Sequence, residues 1–250
     1  MRTPGRLVRA LLVRGFTCSL LALGVGCAIN AGPSDVGQTV SGNRAEEQPK
    51  KGARMADIFQ HAVGDSGKAY LDAEALLITD GATSVPVLKA NLGNPDVVAR
   101  LVSRTLLAWI GGQGPRFRAA LDYLEGLPKR LERTPVGNPP VRGVVAYLDQ
   151  NFGAELVDLL ALRLLKEPDW PDWKRNSALL YLRNHASASL TEPLIRFASL
   201  TTNEQARDLA FDAIVAANDK DLQAKLRAED VWLRTQKRAL PPKLGALMKP

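Results

Sequence analysis

The chain has 250 residues, 46% of them hydrophobic, with 33 lysines and arginines against 26 acids, two cysteines and two histidines. So few histidines and thiols exclude an ordinary His- or Cys-rich zinc site, and no cofactor or metal motif is visible. The formal charge of +7 raises nucleic acid or an anionic membrane as partners. Its distribution argues against nucleic acid. Arg2, Arg6, Arg9 and Arg14 all lie in the first 26 residues, which hold no acid, so their removal leaves 29 basic residues against 26 acids.

Those four arginines precede a short apolar run over residues 16–25, which ends in small residues before Cys27. A basic leader, an apolar core and a small-residue site form a secretory signal. The run is about half of the roughly 20 residues that a bilayer-spanning helix needs. The string Leu23-Gly24-Val25-Gly26-Cys27 resembles the lipobox of bacterial lipoproteins, with Gly26 and Cys27 in place and Gly24 departing from the aliphatic residue usual there. The resemblance implies cleavage after residue 26, lipid on Cys27 and a membrane anchor. Ala28, in place of an inner-membrane retention aspartate, implies the outer membrane, facing the periplasm. Cleavage after Ala28 is the alternative and gives a soluble periplasmic or secreted protein.

Cys18 falls within the leader, so the mature chain retains Cys27 alone and forms no internal disulfide. Residues 27–54 are rich in Gly, Pro, Ser, Asn, Gln and charge, too poor in large aliphatics to offset the entropy of ordering them. They are expected to be a flexible tether. Residues 55–250 are expected to form one helical domain, long enough for a sizeable core.

Patterning in that domain is helical almost throughout, and no sustained strand alternation occurs. Over residues 68–79, Leu71, Ala75 and Ile78 fall on one stripe beside Leu76, which predicts that face as the buried one. Asn94-Pro95-Asp96 predicts a cap, a first-turn proline and an acid at a helix start. Capping-box spacing predicts starts at Ser189 and Thr201, and Pro171-Asp172 predicts another. About nine helices are expected, with the longest break over residues 127–140.

Three helices share one pattern. Arg100, Arg175 and Arg207 are each followed at offsets of three and seven by a small residue and an aliphatic one: Ser103 and Leu107, Ala178 and Leu182, Ala210 and Ile214. An acid or amide precedes each arginine, at Asp96, Asp172 and Asn203. Val85-Pro86-Val87-Leu88-Lys89 also parallels Glu192-Pro193-Leu194-Ile195-Arg196. The paired pattern resembles HEAT repeats, in which a proline-containing helix packs antiparallel to one carrying a small residue and an arginine. The resemblance implies an all-α fold of antiparallel helix pairs in a short right-handed superhelix, with an irregular helical bundle as the alternative. It also implies a protein-binding surface along the second helices, where Arg104, Asp208 and Asp212 are expected to point outward.

Catalytic strings are near misses. Gly64-Asp65-Ser66-Gly67-Lys68 lacks the glycine spacing and the hydroxyl after lysine of a phosphate loop. The serine-protease reading needs a β-barrel with a distant triad; a glycine turn before a helix near Ser66 is expected instead. His61 and His185 are expected to be structural. Arg116, Arg118, Lys129, Arg130 and Arg133 form a basic middle region, read as a solvated face. Trp170 and Trp173, around Pro171, either form an exposed platform for a partner or seal a corner between helices. The expected function is a membrane-anchored, non-enzymatic protein scaffold in the cell envelope. A helical envelope enzyme acting on peptidoglycan or another glycan, and a structural envelope lipoprotein, are the alternatives.

Overall fold

Apolar residues at spacings of three and four set the architecture, and the computed structural model, which describes residues 42–131 and 141–248, is all-α. The leader, Cys27 and residues 28–41 lie outside the described residues. Helix α1 (Gly42–Gly64) begins inside the stretch read as tether. Met55, Phe59 and Ala62, one helical face, are buried, and they dock α1 on α2 (Gly67–Thr79), α3 (Gly81–Ala90) and α4 (Val97–Ala108). Residues 42–54 are therefore helical, and the helical domain starts earlier than composition alone implies.

In α2 the helix forms over the expected residues, but the buried face is turned away from the expected stripe, of which only Ile78 packs on the core. Tyr70, Ala73, Glu74 and Leu77 point inward, whereas Leu71 and Leu76 are 37% and 43% exposed. The carboxylate of Glu74 is drawn into the core by a cation from a distant helix, described below. Asp96, not Asn94, caps α4: its Oδ1 accepts from the amides of Val98 at 2.6 Å and Ala99 at 3.3 Å. Asn94 instead accepts from the Asp96 amide at 2.9 Å, so Asn94-Pro95 forms the turn before the helix.

A kinked segment, Trp109–Gln113, joins α4 to α5 (Gly114–Leu131). Gly112 sits there at φ 116°, a region closed to residues with a Cβ except at a cost. Gly114 has the Trp109 indole so close that an added Cβ would lie 2.8 Å from it, and Trp109 packs edge-on against Phe117 at 5.5 Å. Gly112→Ala is expected to lower unfolding free energy by about 1–2 kcal/mol in urea titration. Helix α5 runs on to Leu131, past Pro128, so the expected break is shorter than residues 127–140.

Beyond it, α6 (Val141–Phe152), α8 (Asp172–Asn184) and α10 (Glu204–Ala216) pack in one row, and α7 (Val157–Lys166), α9 (Ala188–Leu200) and α11 (Leu222–Thr235) in another. α4 lies on α7 and α9. Helix α9 starts after Ser187, whose side chain makes no capping bond, and α10 is capped by Asn203, each close to but not at the expected capping boxes. Thr201 Oγ1 instead accepts from the Asn203 amide at 3.3 Å. A single turn, α12 (Pro242–Ala246), follows. The described residues thus hold twelve α-helices, against about nine expected, because the breaks after Thr79 and Phe152 are too short to read from composition and α12 is a single turn.

Candidate interaction surface

The three arginines singled out by pattern occupy the same place, the fourth residue of α4, α8 and α10. Each turns back across the first turn to carbonyls of the preceding loop. Arg100 donates to the carbonyls of Asn94 and Pro95, Arg175 to those of Pro168 and Trp170 at 2.9 and 2.8 Å, and Arg207 to that of Thr201 at 2.8 Å. A cation near a helix N-terminus opposes the macrodipole; loop carbonyls that would otherwise lack donors make the placement favourable. The proline of each first helix, Pro86 in α3 and Pro193 in α9, is likewise the sixth residue. The small residues Ser103, Ala178 and Ala210 are buried, as are Leu182 and Ile214, while Leu107 is half-buried.

Helix α10 presents the clearest outward face. Ala206, Ala210, Ala213 and Ile214 are buried on α8 and α9, and small side chains there let the neighbouring helices approach closely. Glu204, Asp208 and Asp212, spaced four apart on the other side, are exposed. The Asn203 side chain caps α10 by accepting from the Ala206 amide at 2.9 Å, and its amide donates to Asp172 of α8 at 3.0 Å. Asp172 also pairs with Arg175 at 3.0 Å, so one carboxylate ties the starts of α8 and α10 together.

Asp212 and Asp208 thus lie where they were expected, although Asp208 carries an ion pair to Lys243 at 2.6 Å. Arg104 does not stand free. Its guanidinium grips Asp158 of α7 through two bonds, at 2.9 and 3.0 Å, because α4 lies against α7. Trp170 and Trp173 form no exposed platform. They are 5% and 8% exposed, the Trp170 indole donates to Glu167 at 2.9 Å, and the Lys174 ammonium sits 4.3 Å from the Trp170 ring centroid. Between Pro168 and Pro171 the chain turns sharply, and the indoles fill the corner that results. Cys27 lies outside the described residues. His61 and His185 each meet a carboxylate, Asp65 at 3.0 Å and Asp149 at 2.9 Å, and Arg116 pairs with Glu155.

Two buried charge networks were not anticipated. In the first, Arg163 of α7 donates to Glu74 of α2 at 2.6 Å and lies 3.2 Å from Glu167, while the Tyr70 hydroxyl donates to the other Glu74 oxygen at 2.7 Å. Burial, and then the Glu74 charge, push the Tyr70 phenol well above its ordinary value. Beside it the Lys166 ammonium donates to the carbonyls of Val63 and Asp65 at the end of α1. Burial lowers Lys166 to about 8, against the pull of Asp96 and Asp65, and burial also lowers Lys174.

In the second network, Arg196 of α9 donates through Nε to both oxygens of Glu229 in α11 at 2.7 and 2.9 Å, with its guanidinium 3.4 Å from the Trp232 ring centroid. Burial raises Glu229, opposed by Arg196. In both networks a buried acid and base pair, which fastens helices distant in sequence, although Nε and one terminal nitrogen of Arg163 are left without a hydrogen-bond acceptor. No sequence signal distinguishes Glu74 or Glu229 from the surface acids around them.

Among the described residues no helix is long and apolar enough to cross a membrane, and no group of three or more histidines, cysteines and acids could hold a metal ion. No family model matches this chain, and no curated protein or solved structure matches it either.

Proposed function

We propose that this chain is an exported lipoprotein, anchored through Cys27 at the cell envelope, whose helical domain works as a protein-binding scaffold and not through catalysis. The observation that carries the reading is the acidic face of α10, held rigid by a buried alanine stripe, by the Asn203 cap and by the bond from Asn203 to Asp172 at the start of α8. Repetition adds to it: fourth-position arginines recur in α4, α8 and α10 and sixth-position prolines in α3 and α9, as in HEAT-like stacks that offer extended partner surfaces. The short right-handed superhelix belongs to this proposal. Beneath an exposed acid stripe, a rigid backbone lets a partner bind without ordering the receptor, which lowers the cost of association.

The test is site-specific photocrosslinking in the native envelope, with the crosslinking residue placed at Asp212 or, as control, at Arg118 of α5. A partner set captured from position 212, absent from position 118 and lost in a Cys27→Ala chain, is the expected result. Equal capture from both positions, unchanged by Cys27→Ala, rejects the adaptor reading and turns attention to glycan binding and hydrolysis by an envelope enzyme.

A further inference from the structure

Resting on the adaptor reading, we infer that the C-terminal segment is a detachable strap that lies against the start of the α10 face in cis, and that the partner it excludes is a proline-led basic peptide that docks as a single helical turn. The strap begins at a built turn. Lys237 lies in the left-handed region at φ 56°, and the amides of Lys237 and Arg238 donate to the carbonyls of Arg234 and Leu233 at 3.0 and 2.9 Å. This double bond pattern terminates a helix and reverses the chain.

After that turn, every backbone hydrogen bond among the described residues is local to the strap: Gly245 to Pro241, Leu247 to Leu244 and Met248 to Gly245. Pro241 and Pro242 have no N–H to give. Side chains alone hold the strap to the domain. Leu244 is 1% exposed, Leu240, Leu247 and Met248 are half-buried against the core, and Lys243 reaches Asp208 at 2.6 Å. The ion pair is solvent-exposed, at 58% and 55% for its two side chains, and such pairs hold weakly. Where Pro241, Pro242 and Lys243 meet Glu204, Arg207 and Asp208, a pocket of about 290 Å³ remains.

A segment held by one buried leucine, three half-buried apolar side chains, one exposed ion pair and no backbone bond to its support opens without the domain unfolding. What it leaves is an acidic helix face beside a leucine socket. Leu-Pro-Pro-Lys-Leu is itself the description of a matching ligand, since Pro241 and the first-turn Pro242 of α12 fix their backbone angles and reduce the entropy lost on docking. While the strap is closed, a competing peptide sees only the open fraction of molecules, which weakens its apparent affinity in proportion.

Hydrogen exchange on the unsubstituted full chain tests the strap. Residues 243–247 are expected to exchange about 100-fold faster than the core amides of α10; exchange only in step with α10 and α11 overturns the proposal. A synthetic peptide of residues 238–248, carrying a fluorophore and read by anisotropy, tests recognition. It is expected to bind the full-length Leu244→Asp chain about ten-fold more tightly than the unsubstituted chain, and Asp208→Lys is expected to abolish the gain. Equal binding to both chains, or none to either, overturns the proposal. Should Leu244→Asp fail to fold, the exchange result decides. Peptide capture without any envelope partner at position 212 removes the adaptor reading and leaves the strap; the reverse result removes the strap alone.

Discussion

Replacing Glu74 by leucine is expected to destabilise the domain by about 3–5 kcal/mol, the range for breaking a buried ion pair from one side. The guanidinium of Arg163, 4% exposed like its partner at 6%, would retain only Glu167 at 3.2 Å, and the Tyr70 hydroxyl would lose its acceptor. Much of that loss is the cost of a buried charge left short of partners, not the worth of the bond itself. Joining Glu74→Leu to Arg163→Met should therefore recover at least half of it, because the second change removes the orphaned charge. Urea unfolding of the two singles and the double, treated as a double-mutant cycle, measures this directly. Additive losses would mean that the two side chains do not share one interaction.

The second large effect is alkaline. Lys166 titrates near 8 in the folded chain against 10.5 ordinarily. Between those values the unfolded chain holds a proton that the folded chain has lost, so stability rises with pH through that window. The full gain is about 3 kcal/mol at 1.36 kcal/mol per pH unit, and the lowered Lys174 adds in the same direction.

Tyr181 acts oppositely. Burial raises it to about 12 from 10.0, so above pH 10 the unfolded chain loses a proton that the folded chain keeps, and stability falls. Tyr70 is raised too and contributes with the same sign. Unfolding free energy should therefore climb from pH 8, peak near 10 and then decline. In Lys166→Met the climb should largely vanish while the decline persists. A profile already flat between pH 8 and 10 in the unsubstituted chain would sink the assignment.

The two effects share an origin that local sequence does not carry. At Glu74 the amphipathic period is unambiguous as to helix and misleading as to face. Leu71, Ala75 and Ile78 make the better apolar stripe, yet Leu71 faces solvent because Tyr70 and Glu74 are committed to Arg163, 89 residues away. The tryptophans repeat the lesson in reverse. An unusual local string reads as plug or platform, and only the burial of both indoles in the core makes it a plug. Arg104 is another instance, since an exposed-looking position in α4 meets Asp158 once α7 packs there.

What sequence determined by itself is the helical class, the places of most helix starts to within a few residues, and the arginine pattern of α4, α8 and α10. Each of these depends on residues within about two turns of one another, whose geometry the helical period dictates. Tertiary structure decided which face of α2 is buried, which acids are interior, that α4 rests on α7 and α9, and that the C-terminal turn lies on α10. Those outcomes depend on pairings between residues tens of positions apart. A buried charge is stable only beside its partner, and no local pattern records where that partner lies.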